Sequence, residues 1–261
     1  MTKMRALVTG AGKRLGRSMA LALAEQGCDV AVHYAGSQEA AEDVATQIRA
    51  MGRDAVAVQA DLLQEAEAET LVTRAADALG GPLTVLVNSA SIFEHDDLET
   101  ATRDSWDRAI ESNLRAPFVL IQRFAGQVPD PVRDDRGEPV AQGLVVNMID
   151  QRVRKLTPEF ASYTIAKAGL WTLTQTAAQA LAPRIRVNGI GPGPTLRGGR
   201  QSEEDFAKQR GSTVLERGAD AEDITGALVY LLRAKAVTGQ LFCIDGGQHL
   251  AWQTPDVVGL E

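Results

Sequence analysis

The sequence predicts an α/β protein in which one doubly wound sheet of about seven parallel strands carries helices on both faces. Two observations lead to this fold class. Short apolar runs alternate with amphipathic stretches from end to end of the chain, as in successive βαβ units. A glycine-rich turn joins the first apolar run to the first amphipathic stretch. The predicted strands cover residues 6–8, 30–32, 55–58, 85–87, 144–146, 185–187 and 241–244.

Helical periodicity occupies the segments between these strands, for example residues 18–26, 40–51, 70–79 and 161–182. No internal repeat or linker interrupts the pattern, so residues 1–261 are predicted to form a single domain. The polar, turn-rich segment 129–142 is predicted to be a surface loop before the fifth strand. The helix at 161–182 carries apolar residues on more than one face. This favours a homo-oligomer in which the helix serves both the core and a subunit interface.

Composition narrows the class of protein. An apolar fraction of 44% in 261 residues can supply a sizeable core, and the formal net charge of −7 argues against nucleic-acid binding and against docking on an anionic membrane. The three histidines lack metal-ligand spacing, and the two cysteines are far apart in the sequence. No signal-like apolar region or run of membrane-spanning length is present. We therefore expect a cytoplasmic protein with no metal, nucleic-acid or membrane partner.

The glycine-rich turn, residues 10–16 (GAGKRLG), follows the first strand and opens the first helix. Gly10 and Gly12 permit a tight turn, and Gly16 permits close approach of helix and sheet. The N–H groups at the helix start would then face a pyrophosphate. The turn therefore predicts dinucleotide binding on a Rossmann-type sheet.

The second strand ends in His33 and Tyr34, without an acidic residue. A carboxylate there would bond to the ribose hydroxyls of NAD and would repel the 2′-phosphate of NADP. Donors and positive charge stand there instead, on His33, Ser37, Lys13 and Arg14. The sequence therefore favours NADP(H). The alternative is that Lys13 and Arg14 are only solvated loop charges.

Two further strand ends carry polar residues that suit a cofactor. Asp61 ends the third strand, where its carboxylate can accept a bond from an adenine amino group. Asn88, Ser89 and Ala90 end the fourth strand, where the backbone and the Asn side chain can line the cofactor. Each of these residues, taken alone, is also typical of an ordinary strand-end cap.

Tyr163 and Lys167 lie one helical turn apart and therefore share a helix face. A cation there favours the phenolate and lowers its pKa toward a value useful for proton transfer. Asp150 ends the preceding strand, and open α/β sheets bind their ligands at such strand ends. The three side chains predict an acid–base site. The alternative for Asp150 is a cap on the following loop.

The order of these motifs resembles the short-chain dehydrogenase/reductase family: a Thr-Gly-rich turn, Asp after the third strand, Asn-x-Ala after the fourth, and Tyr-x-x-x-Lys. The resemblance covers nearly the whole chain and implies an NAD(P)-dependent oxidoreductase that assembles as a homotetramer. It places Asn113 where the family has an Asn that holds a water in the proton path. It also places Pro192 and Gly193 in the loop that packs on the nicotinamide, and Lys167 on the nicotinamide ribose.

Within that family the chain looks like the pteridine reductase branch. The family usually has Gly at the position of Arg14 and Ser at the position of Asp150. In that branch an Arg in the glycine turn touches cofactor phosphate and pterin, and a Phe stacks on the pterin ring. These roles fall on Arg14 and Phe93, although Phe93 can also be a loop residue packed on the core. Two residues depart from the branch, since Ser89 replaces a usual Asn and Gly36 replaces a phosphate-binding Arg.

An Asp in place of Ser suits hydride delivery to a C=N bond. Carbonyl reduction builds negative charge on oxygen, which an ionised Asp150 opposes. The nitrogen of a C=N bond passes through cationic character, which a carboxylate stabilises while Tyr163 supplies the proton. The predicted function is NADPH-dependent reduction of a pterin- or folate-like substrate. Beside Asp150, Arg152, Arg154 and Lys155 either form a solvated loop or attract an anionic tail such as the glutamate of folates.

Three alternatives stay open: a carbonyl or 3-oxoacyl reductase, a reductase for another cyclic imine, and a non-catalytic NADP-sensing protein. A lid is expected at about residues 195–211, where small residues can act as hinges. The predicted catalytic residues are Asp150, Tyr163, Lys167 and Asn113. The predicted cofactor-binding residues are Gly10, Lys13, Arg14, Leu15, Gly16, His33, Tyr34, Ser37, Asp61, Leu62, Asn88, Ser89, Ala90, Tyr163, Lys167, Pro192 and Gly193. The predicted substrate-binding residues are Arg14, Ser91, Phe93, Asp150 and Tyr163.

Overall fold

The computed structural model of the chain describes residues 3–198 and 201–252. Within these residues the strands are β1 (Arg5–Val8), β2 (Asp29–Tyr34), β3 (Ala55–Gln59), β4 (Val85–Asn88), β5 (Val132–Arg133), β6 (Pro139–Val140), β7 (Gly143–Met148), β8 (Ile185–Pro192) and β9 (Leu241–Ile244). The helices are α1 (Arg14–Glu25), α2 (Gln38–Ala50), α3 (Glu65–Ala78), α4 (Arg103–Ile110), α5 (Ala116–Ala125), α6 (Ala161–Leu181), α7 (Glu203–Gly211) and α8 (Ala221–Arg233). A π-helical turn (Glu111–Arg115) joins α4 to α5, and 3₁₀ turns cover Gln151–Val153 and Gln248–Leu250.

Seven of these strands form one parallel sheet in the order β3-β2-β1-β4-β7-β8-β9, which confirms the predicted doubly wound α/β architecture. The strand order reverses between β1 and β4, which pair through Ala6↔Val85 and Val8↔Val87. Connections leave the two strands toward opposite sides of the sheet, so a crevice opens beyond their carboxyl ends. The functional side chains that follow β1, β4, β7 and β8 are thereby brought to one edge.

The apolar strands are buried because helices cover both faces of the sheet. Successive β1 residues point to opposite sides, so Leu7 packs in the core beneath α3, α5 and α6, whereas Ala6 and Val8 pack beneath α1, α2 and α8. All three side chains have no solvent exposure. Full burial of a Leu side chain such as Leu7 contributes about 1.5–3 kcal/mol. Two-sided burial explains why the predicted strands are continuous apolar runs rather than alternating ones.

One predicted loop contains additional structure. In segment 129–142, β5 and β6 form a short antiparallel hairpin through Val132↔Val140. Asp134 closes its turn by accepting from the N–H groups of Arg136 and Glu138, at 2.9 and 3.0 Å. The sequence gives no apolar alternation for such short strands, and the turn chemistry alone determines them. Within the described residues, no helix has the length and apolarity needed to cross a bilayer.

Candidate active site

A cavity of about 880 Å³ opens at the carboxyl edge of the sheet, between the glycine-rich turn and the loops that follow β4, β7 and β8. Its volume lies in the upper part of the range found for ligand sites. Nearly all of the predicted site residues line it. They are Gly10, Lys13, Arg14, Leu15, Gly16, His33, Tyr34, Ser37, Asp61, Leu62, Ser89, Ala90, Ser91, Phe93, Asp150, Tyr163, Lys167, Pro192 and Gly193. Two predicted residues, Asn88 and Asn113, are absent from this lining and are described below.

The glycine-rich turn has the geometry of an anion cradle. Gly10 has a φ of 64°, and a Cβ there would lie 2.9 Å from the Ala90 Cα, so only glycine fits without strain. A Cβ on Gly16 would overlap the Gly10 carbonyl oxygen. Helix α1 begins here with no side-chain cap and with no acidic residue in its first turn. Its first N–H groups and its dipole therefore remain directed at the cavity, where a pyrophosphate fits.

The turn is held against the end of β4 by Thr9. Its hydroxyl oxygen accepts from the backbone N–H groups of Ser89 and Ala90, each at 2.9 Å. Thr9 is 1% exposed. This brace fixes the distance between the turn after β1 and the fourth strand, and it therefore sets the width of the crevice.

The structure assigns His33 a different role from the one its sequence position indicates. Its Nδ1 accepts from the Gly10 N–H and its Nε2 donates to the Ala60 carbonyl, both at 3.0 Å. Burial of the ring lowers its pKa to about 4. His33 is therefore neutral near pH 7 and supplies no positive charge to a 2′-phosphate. It instead joins the glycine-rich turn to the residues that follow β3.

Arg14 lines the cavity as predicted, and its guanidinium also makes contacts that the sequence does not indicate. Its guanidinium donates to the carbonyl oxygens of Leu196 and Arg197, at 3.0 and 2.9 Å, and so holds the loop after β8 beside the cavity. Its backbone φ is 53°, in the left-handed region that favours glycine. A non-glycine residue there costs about 1–2 kcal/mol. This backbone conformation explains why a Gly is usual at this point of the turn.

Of the polar residues at the ends of β3 and β4, Asp61 lines the cavity and Asn88 does not. One of the Asp61 carboxylate oxygens accepts from the Leu63 N–H at 3.0 Å. Asn88 is 3% exposed, and its Nδ2 donates to Asn147 Oδ1 at 2.8 Å. The Asn88 side chain therefore links β4 to β7 behind the wall of the cavity. The prediction that this side chain lines the cofactor is not supported by its position.

The predicted acid–base group is assembled. The Tyr163 hydroxyl donates to Asp150 Oδ2 at 3.0 Å, while Asp150 Oδ1 accepts from the Arg152 backbone N–H at 2.8 Å. Lys167 Nζ donates to the Met148 carbonyl oxygen at 2.7 Å and lies 5.5 Å from the centroid of the Tyr163 ring. Asp150 therefore caps the following turn with one oxygen and holds the tyrosine with the other. The two interpretations of Asp150, as a member of the acid–base group and as a cap on the following loop, are therefore compatible.

The electrostatics of this group oppose the expectation that Lys167 lowers the pKa of Tyr163. Burial raises the pKa of Tyr163 well above its usual value, and the adjacent Asp150 charge raises it further. Burial also raises the pKa of Asp150 and lowers that of Lys167 to about 8. Tyr163 is 6% exposed, and desolvation is the largest cause of its raised pKa. The tyrosine is consequently a protonated donor aimed at Asp150.

Asn113 lies in the π-helical turn between α4 and α5 and has no solvent exposure. Its Nδ2 donates to the carbonyl oxygens of Ile92 and Ala109, and its Oδ1 accepts from the Ser91 hydroxyl at 2.7 Å. The amide is thus occupied by the loop after β4. π-Turns often occur at functional sites. Here the turn positions Ser91, which lines the cavity, rather than exposing the Asn113 side chain to it.

An aromatic cluster beside the cavity includes Phe160, which the sequence did not mark as a site residue. Phe93 stacks on Phe160 with ring centroids 4.3 Å apart and an interplanar angle of 5°. Its ring also meets Tyr163 at 4.7 Å and 72°. Arg152 lies over the Phe160 ring at 4.8 Å. Phe160 precedes α6 in a loop whose apolar residues are isolated, so no periodicity marks it as a site residue.

The outer wall of the cavity comes from the segment predicted to be a lid. Leu196, Gln201, Phe206 and Gln209 line it, whereas residues 199 and 200 lie outside the described residues. The lid itself stays a prediction. Of the unassigned residues, His95 contacts the Phe160 ring edge-on at 5.0 Å, His249 Nδ1 pairs with Asp245 Oδ2 at 2.7 Å, and Trp252 lines a smaller second cavity. Across the described ranges, no group of three or more His, Cys, Asp and Glu side chains is placed to hold a metal ion.

Comparison with known proteins adds independent findings. A family model described as enoyl-(acyl carrier protein) reductase matches residues 10–249. The chain is 36% identical over 255 residues to 3-oxoacyl-[acyl-carrier-protein] reductase FabG of Staphylococcus aureus, covering 96% of this chain and 99% of that protein. It is 33% identical over 286 residues to pteridine reductase 1 of Leishmania tarentolae, covering 94% and 96%. The crystal structure of FolM alternative dihydrofolate reductase 1 from Brucella suis in complex with NADP matches with a TM-score of 0.90 and 42% identity, over 98% of each chain.

Proposed function

The chain belongs to the short-chain dehydrogenase/reductase family of oxidoreductases, and from this premise we propose that it is an NADPH-dependent reductase of a C=N bond in a pterin- or folate-like substrate. The observation that carries the proposal is the contact between the Tyr163 hydroxyl and Asp150 Oδ2, at 3.0 Å. This contact places a carboxylate, rather than a neutral hydroxyl, beside the proton donor.

NADP(H) is the cofactor. The solved FolM structure from Brucella suis, 42% identical over 98% of this chain, contains NADP. The cradle at Gly10 and Gly16 and the uncapped start of α1 fit its pyrophosphate. Lys13 of the glycine-rich turn and Ser37 after β2 both line the cavity, and positions 33–37 contain no acidic residue to repel a 2′-phosphate. When bound, the cofactor supplies the hydride.

The side chains of this protein supply the proton and the electrostatic environment. Tyr163 keeps its proton because burial and Asp150 raise its pKa, so it acts as the acid that protonates the substrate nitrogen. Asp150 stabilises the positive charge that develops on that nitrogen. Lys167 is anchored on the Met148 carbonyl oxygen and keeps a positive charge near the Tyr163 ring. That charge favours loss of the tyrosine proton during the reaction.

Two further observations support a flat heterocycle as the substrate. Phe93 presents an aromatic ring beside Tyr163, with ring centroids 4.7 Å apart. Relatives named pteridine reductase and alternative dihydrofolate reductase match nearly the whole chain, at 33% and 42% identity. Their substrates are proposed for this chain on the strength of Asp150, Arg14 and Phe93.

The test is NADPH oxidation by the purified protein with 7,8-dihydrobiopterin, dihydrofolate and a 3-oxoacyl thioester. Turnover of the dihydropterin or dihydrofolate, with little turnover of the thioester, is the expected result. Turnover of the thioester alone would reject the C=N assignment. Absence of turnover on every substrate, with NADPH still bound, would favour the non-catalytic sensor.

A carbonyl or 3-oxoacyl reductase is the second candidate. The Staphylococcus aureus relative carries that name, and burial raises the pKa of Asp150. A protonated Asp150 would donate to a carbonyl oxygen as a serine does. Replacing Asp150 with Ser separates the two candidates, because the variant should gain carbonyl turnover only if the carboxylate opposes it.

A homo-oligomer, with a tetramer as the predicted form, belongs to the same proposal. Exposed apolar residues lie on α6, the helix expected at the interface, where Ile165 is 47% exposed, and on α5, where Phe118 is 37% exposed. Light scattering of the purified protein would test it, and a monomer at micromolar concentration would reject it.

A further inference from the structure

We propose that Arg152, whose guanidinium is held over the Phe160 ring, forms a binding site on the cavity wall for the carboxylate of the anionic aryl tail of a conjugated pterin. The inference rests on the proposed function, because the pterin ring must occupy the inner part of the cavity. It assigns the protein to folate-type substrates, which carry an aryl group and a carboxylate, in preference to unconjugated pterins.

The position of Arg152 is fixed by the acid–base group. Its backbone N–H donates to Asp150 Oδ1 at 2.8 Å, and its side chain lines the cavity. A substrate whose reacting nitrogen contacts Tyr163 must extend toward the cavity mouth if it is longer than the pterin ring. Arg152 is the charged side chain next to Asp150 on that wall.

Aromatic surface leads from the inner cavity to Arg152. Tyr163, Phe93 and Phe160 contact one another in series, with centroid distances of 4.7 and 4.3 Å. Arg152 Cζ lies 4.8 Å from the Phe160 centroid and 6.0 Å from the Phe93 centroid. The Phe160 ring is stacked on Phe93 and lies under the Arg152 guanidinium, so these contacts position the guanidinium rather than receive the aryl group. Arg152 lines the cavity, where it can donate to the carboxylate of a tail that extends from the pterin.

The Arg152 charge acts on the nearby Asp150, where it opposes the rise in the pKa of that carboxyl, but the Arg152 side chain forms no ion pair among the described residues. Its side chain donates to the Thr157 hydroxyl at 2.8 Å, and the ion pairs within residues 3–198 and 201–252 do not include it. The nearby Glu94 is paired with Arg108 at 3.0 Å. A guanidinium held by ring faces and one hydroxyl, with further N–H donors, is suited to a ligand carboxylate.

The other two basic residues of the same loop lie elsewhere. Arg154 sits over the Trp171 ring at 5.7 Å and does not line the main cavity. Lys155 lines the smaller second cavity. The three-residue basic cluster of the sequence is thus divided by the fold, and only Arg152 faces the site.

The backbone of Phe160 is consistent with a functional position. Its φ of 57° and ψ of 47° are left-handed, which is unusual for a bulky residue. Such strain persists where the surrounding structure holds a residue in place, and it is concentrated at binding sites. The conformation brings the Phe160 ring between the start of α6 and the loop after β4.

The experiment compares kcat/KM for 7,8-dihydrofolate with kcat/KM for 7,8-dihydrobiopterin in three proteins. Arg152→Met removes the charge and keeps the apolar stem. Arg154→Met is the matched control, since it makes the same change in the same loop outside the cavity. We expect Arg152→Met to lower the folate-to-biopterin ratio about tenfold, the effect of one partly exposed charge-assisted contact. Arg154→Met should leave the ratio unchanged.

Salt provides a second readout. Raising the ionic strength should increase the wild-type KM for dihydrofolate more than that for dihydrobiopterin, and Arg152→Met should remove this difference. Thermal unfolding and NADPH binding of each variant establish that it is folded.

The outcomes separate the two proposals. Equal losses on both substrates in Arg152→Met would overturn the tail site and leave the C=N reductase standing. A ratio that changes equally in Arg154→Met would also overturn it. Failure of the wild-type protein to reduce either substrate would overturn both proposals.

Discussion

Replacing Asp150 with Asn tests the electrostatic core of the proposed mechanism. The substitution preserves shape and the Oδ1 acceptor for the Arg152 N–H, and it removes the charge beside the Tyr163 hydroxyl. With Tyr163 hydroxyl and Asp150 Oδ2 3.0 Å apart, a substrate nitrogen bound to Tyr163 lies within about 4–5 Å of the carboxylate. Two unit charges about 4 Å apart interact by ~4 kcal/mol at an effective dielectric constant of about 20. If the nitrogen carries about half a unit charge in the transition state, the carboxylate stabilises that state by ~2 kcal/mol, which corresponds to roughly 30-fold in rate.

The assay is steady-state NADPH oxidation with dihydrobiopterin and with a 3-oxoacyl thioester. We expect kcat/KM for dihydrobiopterin to fall roughly 30-fold in Asp150→Asn, and kcat/KM for the thioester to stay level or rise. Loss of the Asp150 charge should also lower the pKa of Tyr163, because that charge is the second cause of its elevation. NADPH affinity, measured by fluorescence, is the control for an intact site. Equal losses on both substrates would refute the reasoning.

Three further predictions concern stability and pH. Gly16→Ala should destabilise the fold by about 1–3 kcal/mol and weaken NADPH binding, because the new methyl overlaps the Gly10 carbonyl oxygen. The exposed helical control Gly226→Ala has open space and should stabilise by about 0.5–1 kcal/mol; urea unfolding measures both, and equal effects would contradict the overlap. His33 has a pKa of about 4 in the fold against 6.5 as its ordinary value, so the unfolded chain binds more protons between these values. This difference contributes about 3 kcal/mol to the free energy of unfolding, fully present above about pH 6.5 and lost as the pH falls toward 4. In urea titrations, the free energy of unfolding of His33→Asn should lack this dependence on pH. Burial lowers the pKa of Lys167 to about 8, so kcat/KM should fall above that pH as Lys167 loses its proton. In a folded Lys167→Arg variant, this alkaline fall in kcat/KM should move to higher pH. An unchanged alkaline limb in that variant would assign the titration to another group.

Local patterns in the sequence were sufficient for the framework of the site. The one-turn spacing of Tyr163 and Lys167 requires only that they share a helix, and α6 covers both. The position of Asp150 after a buried strand requires only that β7 be central in a parallel sheet. Gly10 was identified from the turn that a pyrophosphate needs, and its φ of 64° agrees. These inferences depend on periodicity and on backbone sterics, which act over a few residues.

Several side chains make contacts between distant parts of the chain that the sequence does not reveal. Arg14 donates to the carbonyl oxygens of Leu196 and Arg197, which lie 182 and 183 positions further along the chain. Phe160 meets Phe93 across two separate loops. Asn88 and Asn113 lie behind the cavity wall, where their amides join secondary-structure elements instead of facing a ligand. Contacts of this kind depend on which loops the sheet brings together.

The sequence by itself determined the fold class, the order in which polar residues end the strands, and about half of the residues that line the cavity. Alternating apolar runs and turn chemistry are local properties, and the family resemblance added residues such as Phe93 and Pro192. Tertiary structure alone decided the charge states. Burial of His33 makes it a neutral brace, and burial of Tyr163 beside Asp150 raises a pKa that the neighbouring Lys167 was expected to lower. Desolvation is set by everything packed around a group, so its magnitude appears only when the chain is folded.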